Sequence, residues 1–135
     1  MDALLLVAHG SKIICSNEEI KKLTRKLAQD SRGLFDIVEC AFLEFAKPSI
    51  LEGASICALK GAKEITLLPY LLSSGRHLAK DIPAELEKIR KNYPQVRLKI
   101  TPYLGAAEEI SEVLIKLCKQ ASDAGCHTRA HVNSR

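Results

Sequence analysis

Two histidines and a glutamate are the residues of this 135-residue chain whose types and positions point most directly to chemistry: His9, His77 and Glu44. His9 follows an apolar run, Ala3 to Ala8, and precedes Gly10-Ser11, so its imidazole stands at the end of a buried segment beside unobstructed backbone. His77 lies in a loop rich in Ser73, Ser74 and Gly75, and Glu44 follows a second apolar stretch. Taken singly, each has a plain structural reading: a capping or structural histidine, or a solvated carboxylate. Brought to one crevice, two imidazoles and a carboxylate form an open ligand set for Co²⁺, Ni²⁺, Fe²⁺ or Zn²⁺ that leaves coordination positions free for a substrate. A neutral imidazole also accepts a proton near pH 7.

Convergence depends on the elements between these residues. The run Ala3–Ala8 reads as a strand buried on both faces, as in a parallel sheet. From Asn17, Ile20, Leu23, Leu27 and Ala28 recur at helical spacing, with Ser16 or Asn17 as the expected N-cap and Gly33 past the end. Residues 35–42 read as the second strand; Pro48-Ser49 opens a helix that closes at Gly61; Ile65 to Leu68, closed by Pro69, is the third strand. After the loop from Tyr70 to Leu78, Ile82, Leu86, Ile89 and Tyr93 mark a third helix. Val96 to Ile100 is a fourth strand, and Ile110, Val113, Leu114 and Leu117 a fourth helix. Strict β-α alternation predicts an α/β fold: a single-domain, parallel four-stranded sheet with helices on both faces, a flavodoxin-like half. Ligands in such folds lie outside the carboxyl ends of the strands, where the loops of His9, Glu44 and His77 stand. One domain is expected over residues 1–120, with 121–135 as a tail that could be mobile.

Composition narrows the function classes. A net charge of +4, with basic residues interleaved among acidic ones, does not call for nucleic acid as a partner. The five cysteines are odd in number and lack paired short spacing, and the first residues carry no basic leader or long apolar span, so a reducing, cytoplasmic setting without membrane insertion is expected. Cys40 and Cys57 lie in apolar runs and read as small buried hydrophobes. No Gly-x-Gly-x-x-Gly, Walker-type loop or Gly-x-Ser-x-Gly elbow is present, which argues against nucleotide binding and serine hydrolysis. Cys126, His127 and His131 could take up metal adventitiously in the polar tail.

Three segments, LLLVAHGSK (4–12), AFLEFAKPSI (41–50) and LLPYLLSSGRHLAKDIP (67–83), together resemble the short, single-domain class II tetrapyrrole chelatases of the small CbiX type. The resemblance implies ATP-independent insertion of a divalent metal (Co²⁺, Ni²⁺ or Fe²⁺) into sirohydrochlorin, in cobalamin, coenzyme F430 or siroheme biosynthesis, with no cofactor beyond that metal. It places metal binding and pyrrole deprotonation on His9 and His77, and an acidic neighbour at Glu44. The lining serines, glycine and arginine, Ser11, Ser74, Gly75 and Arg76, become candidate contacts to sirohydrochlorin. Short members resemble homodimers, so a homodimer is expected. A carboxylate-rimmed macrocycle would favour nearby cations, and Lys12, Lys47, Arg76 and Lys80 are close in sequence to the three loops. Two other classes use the same residues: a non-catalytic metal or tetrapyrrole carrier, and a histidine phosphoryl-transfer enzyme. The second expects an arginine before the histidine, where this chain has Ala8.

Overall fold

The computed structural model describes residues 1–75 and 80–124. Arg76 and His77, and Cys126, His127 and His131 of the tail, lie outside the described residues. The order is β1 (Asp2–Ala8), α1 (Ile14–Asp30), β2 (Ile37–Phe42), α2 (Ile50–Leu59), β3 (Glu64–Pro69), α3 (Ile82–Asn92), β4 (Arg97–Ile100) and α4 (Ile110–Lys119), with a 3-10 turn at Leu104–Ala106 before α4. The sheet is parallel throughout, in the order β2-β1-β3-β4.

β1 is central because its side chains are apolar on both faces, and Ala3 to Ala8 are all buried. Alternation sends Ala3, Leu5 and Val7 into the larger core, where Ile50, Ala54 and Cys57 of α2 and Ile82, Leu86 and Ile89 of α3 close over them. Leu6 and Ala8, with Cys40 and Phe42, face the other way and meet Ile20, Leu23 and Leu27 of α1. A helix on each face removes both from water, as the parallel sheet requires. Cys40 and Cys57 are buried, in agreement with their apolar settings.

Several boundaries differ from the pattern reading by one or more residues. Helix α1 begins at Ile14 with Ile13 as its N-cap and without a side-chain cap, so neither Ser16 nor Asn17 fills that role. The Asn17 amide is engaged elsewhere, on Ser11. The second strand starts at Ile37, since Leu34 is exposed and Phe35 donates its N–H back to the Ser31 carbonyl in the turn after α1. Pro69 is the last residue of β3, paired in register with Val7, where a missing N–H is tolerated at a strand end. Helix α2 begins one residue after the expected Pro48-Ser49 opening, and Ser49 caps it in a reciprocal box: Glu52 N–H donates to Ser49 Oγ (3.2 Å) and Ser49 N–H donates to Glu52 Oε1 (2.8 Å).

Candidate active site

The loops after β1 and β2 stay joined beyond the strands. Leu43 N–H donates to the Ala8 carbonyl (2.9 Å) and Glu44 N–H to the His9 carbonyl (3.1 Å), which carries the parallel pairing two residues past the sheet. On the other flank, Tyr70 N–H donates to the Val7 carbonyl (2.7 Å). Closure of the second loop comes from Phe42 N–H donating to the Pro48 carbonyl (2.8 Å). Glu44 is thereby delivered to His9, with Nε2 and Oε2 3.5 Å apart and about half of each side chain open to solvent.

Gly10 makes this approach possible. Its φ is +92°, and a Cβ built there would lie 1.8 Å from the Glu44 carbonyl oxygen. Any other residue would be strained and would push the two loops apart. Beyond it, Asn17 fixes Ser11 from both sides: Ser11 N–H donates to Asn17 Oδ1 (3.0 Å), and Asn17 Nδ2 donates to the Ser11 carbonyl (2.7 Å). Asn17 is buried, so this pair of bonds replaces water that the loop backbone has lost. Ser11 Oγ accepts from Ile13 N–H (2.9 Å) and so belongs to the turn into α1.

His9 Nδ1 stands 3.3 Å from the Gly10 carbonyl oxygen. With the proton on Nδ1, that nitrogen donates to the carbonyl and Nε2 presents its lone pair beside Glu44; with the proton on Nε2, it points toward the carboxylate. The first arrangement suits a dication. Two donors 3.5 Å apart, each at a bond length of ~2.1 Å, subtend about 113° at a shared ion, close to tetrahedral. His9 and Glu44 are two donors at this end of the sheet, and among the described residues no group of three or more His, Cys, Asp or Glu side chains is placed to hold a metal.

Two clefts adjoin the pair. One, of ≈ 220 Å³, is lined by His9, Gly10, Ser11, Asn17, Ile20 and Tyr70 among others. The second, of ≈ 230 Å³, runs from Glu44 along Ser49 and Ile50 to Asp81 and Glu85 at the start of α3. Apolar side chains stand exposed at this end of the sheet: Ile13, Phe45, Tyr70 and Leu72 in the loops after β1, β2 and β3, and Ile14 at the start of α1. Phe45 has φ +67°, unusual for a bulky side chain, and Lys12 Nζ sits 5.2 Å from its ring centroid. The loop after β3 is held from beneath by Gly105, whose N–H donates to the Leu71 carbonyl (3.0 Å) and where a Cβ would meet the Leu72 carbonyl oxygen at 1.7 Å.

Of the residues singled out in the sequence, His9 and Glu44 come together. Ser11 lies in the same cleft as His9, and Ser74 and Gly75 are exposed in the loop after β3. His77 and Arg76 fall outside the described residues. Lys47 stands 3.8 Å from Glu52 and is almost fully exposed, and Lys80 is exposed. Asn17, Phe45 and Gly105 were not singled out. Asn17 looked like a cap, and only the left-handed backbone at Phe45 and the proximity of Gly105 to Leu72 reveal the other two.

Comparison with known proteins follows the same lines. The profile of the CbiX family matches residues 3–121. A sirohydrochlorin cobaltochelatase of Sulfurisphaera tokodaii is 39% identical over 114 residues, covering 84% of this chain and 88% of that one. Among solved structures, a CbiX protein of Marinobacter aquaeolei, described as a cobalamin biosynthesis protein, superimposes with a TM-score of 0.73 at 25% identity, covering 89% of this chain and 96% of that one. The sirohydrochlorin chelatase SirB of Bacillus subtilis subspecies spizizenii, solved in complex with cobalt, superimposes with a TM-score of 0.79 at 27% identity. That match covers 90% of this chain and 55% of SirB. SirB from Bacillus subtilis has also been solved with Fe³⁺.

Proposed function

The chain belongs to the CbiX family, and from that premise we propose that it is a metal chelatase that inserts a divalent ion into sirohydrochlorin. The observation that carries the reading is the His9–Glu44 pair, two exposed donors held 3.5 Å apart by loop pairing at the carboxyl end of the sheet. Insertion requires an ion to be held and then given up, which a site with a few protein ligands and open positions does better than a closed four-cysteine one. The reaction exchanges one M²⁺ for the two pyrrolic protons, and His9 Nε2, when unprotonated, can accept one of them. His77 is the expected second imidazole. Glu44 supports the cation, together with Asp81 and Glu85 along the acidic cleft. Phe45, Tyr70 and Leu72 supply an apolar rim for a flat macrocycle, Lys12 lies by Phe45 for its carboxylates, and Ser11, Ser74, Gly75 and Arg76 complete the proposed contacts.

Cobalt is the metal this reading favours, because the relatives of similar length are sirohydrochlorin cobaltochelatases; nickel and iron are the alternatives. Cobalamin biosynthesis is the corresponding pathway, with coenzyme F430 or siroheme following from the other ions. The enzyme is proposed to act in the cytoplasm and to assemble as a homodimer. No described helix is long and apolar enough to cross a membrane.

A carrier would use the same loops without turnover. With sirohydrochlorin and Co²⁺ in large excess over protein, the metallated product should continue to accumulate past one equivalent per chain, at a rate proportional to protein. Product that stops at one equivalent would assign the chain to the carrier class instead.

A further inference from the structure

The loop after β3 is fixed at two points. At its root, Tyr70 N–H donates to the Val7 carbonyl of β1 (2.7 Å). One residue on, the Leu71 carbonyl accepts from Gly105 N–H (3.0 Å), and Gly105 lies so close to Leu72 that a Cβ there would stand 1.7 Å from the Leu72 carbonyl oxygen and 2.5 Å from its carbonyl carbon. The φ of Gly105 is outside the left-handed region, so an L-residue could adopt its backbone; glycine is demanded here by the close approach alone. The turn that carries it is itself held. Ala106 N–H donates to the Tyr103 carbonyl (2.9 Å), Ala107 N–H to the Leu104 carbonyl (3.1 Å), and just before the turn Thr101 N–H donates to the Leu67 carbonyl of β3 (3.0 Å). Gly105 is therefore part of a platform joined to the sheet, and the β3 loop rests on it.

We propose that Gly105 is a positioning residue for metal insertion: its bare backbone sets how far the β3 loop stands from the sheet, and so where Tyr70 and Leu72 meet the macrocycle beside His9. Tyr70 lines the same cleft as His9, and Leu72 is exposed at that end of the sheet. Insertion needs the pyrrolic nitrogens brought to the ion and to His9 Nε2 in one geometry, and a misplacement of about 1 Å in a supporting contact lowers the rate by up to about 100-fold. Gly105 acts through the loop and not on the reacting atoms. The inference rests on the chelatase reading above and adds to it the element that fixes the third loop of the site.

Steady-state insertion of Co²⁺ into sirohydrochlorin by the full chain, compared among wild type, Gly105→Ala and Gly61→Ala, tests it. A Cβ does not come within 3.0 Å of such an oxygen, so alanine at 105 must part the turn from Leu72 by more than about 1 Å. Leu72 is exposed, so the loop yields and the core does not. Gly61, with φ +104° between α2 and β3, lies at the opposite end of the sheet; alanine there strains the backbone without touching the site. Gly105→Ala should lower kcat on the order of 10-fold to 100-fold while KM for sirohydrochlorin stays within about 3-fold, because the loss is one of geometry in the transition state. Gly61→Ala should melt at a lower temperature and keep the wild-type kcat. Ala106→Gly loosens the turn without adding an atom and should lower kcat about 3-fold; it decides the matter should Gly105→Ala not fold. A wild-type kcat in folded Gly105→Ala, whatever its KM, would overturn the proposal, as would equal losses in Gly105→Ala and Gly61→Ala or, with Gly105→Ala unfolded, a wild-type kcat in Ala106→Gly. A wild type no faster than metal and macrocycle alone would instead overturn the chelatase reading, and the positioning role with it.

Discussion

At the scale of single residues, Phe45 shows how the site departs from what stability alone would select. A bulky side chain at φ +67° costs about 1–2 kcal/mol relative to an ordinary backbone, and here it holds an aromatic ring out in water beside Lys12. Phe45→Gly relieves that strain but adds backbone freedom to the unfolded chain, worth about 0.5–1 kcal/mol in the opposite direction. Chemical denaturation should therefore find the variant within about 1 kcal/mol of wild type. Its KM for sirohydrochlorin should rise about 10-fold, the loss of one base-like stacking partner. An unchanged KM would remove Phe45 from the macrocycle site. Sequence position pointed to His9 because a histidine closing an apolar strand stands at the ligand end of this architecture. Its spacing to Glu44 was not readable there, since 35 residues separate them and the two hydrogen bonds past the strand ends decide it.

At the scale of elements, the helices show which sequence signals survive folding. Ser49, three residues before Glu52 at the start of an apolar run, is a local capping signal, and the structure has both of its hydrogen bonds. Its Ser49→Ala variant should lose about 1 kcal/mol. The Ser49 backbone, first, and then Lys47 hold the Glu52 carboxyl below its usual range. A depressed folded pKa means the contribution is present above the unfolded carboxylate value and is lost as pH falls through the folded one. Thermal melts across the acid range should thus show wild type losing more stability than Glu52→Gln, which has no carboxyl to protonate there; parallel curves would contradict a stabilising Glu52 carboxylate. Asn17 has a similar local signature and a different fate. Ser11, six residues earlier, takes its amide, and nothing within the sequence ranks that partner above the helix backbone. Replacement by alanine strands the Ser11 N–H and carbonyl and should cost about 1–3 kcal/mol. Insertion should fall with it, through the displaced His9 loop, while far-UV helicity stays unchanged; a fully active Asn17→Ala chain would show that the loop holds itself.

Across the whole molecule, strand order and the two cores follow from periodicity. Runs apolar on both faces became central strands, and stripes at helical spacing found the sheet, except in α4. That helix reads like α1 in sequence, and its exposure is not legible there because an apolar stripe does not say what, if anything, packs on it. The cysteines give a test of the interior as a whole. Cys57 is fully buried, and burial first, then Glu39, pushes its thiol up to about 12. Cys40 is buried on the opposite side of the sheet, whereas Cys15 and Cys118 are exposed. A thiol reagent at mildly alkaline pH, followed by peptide mapping, should modify Cys15 and Cys118 in the native protein and reach Cys40 and Cys57 only after unfolding. Rapid native labelling of Cys57 would mean that α2 does not seal the sheet.

The central claim is that His9, set beside Glu44, takes part in metal insertion. The most direct measurement is the initial rate of the visible-absorption change of sirohydrochlorin with Co²⁺, compared among no protein, wild type and a folded His9→Ala variant. Wild type should exceed the spontaneous rate, and His9→Ala should lose most of that excess, on the order of 100-fold for removal of a ligand and proton acceptor. Equal rates for wild type and His9→Ala would contradict the account.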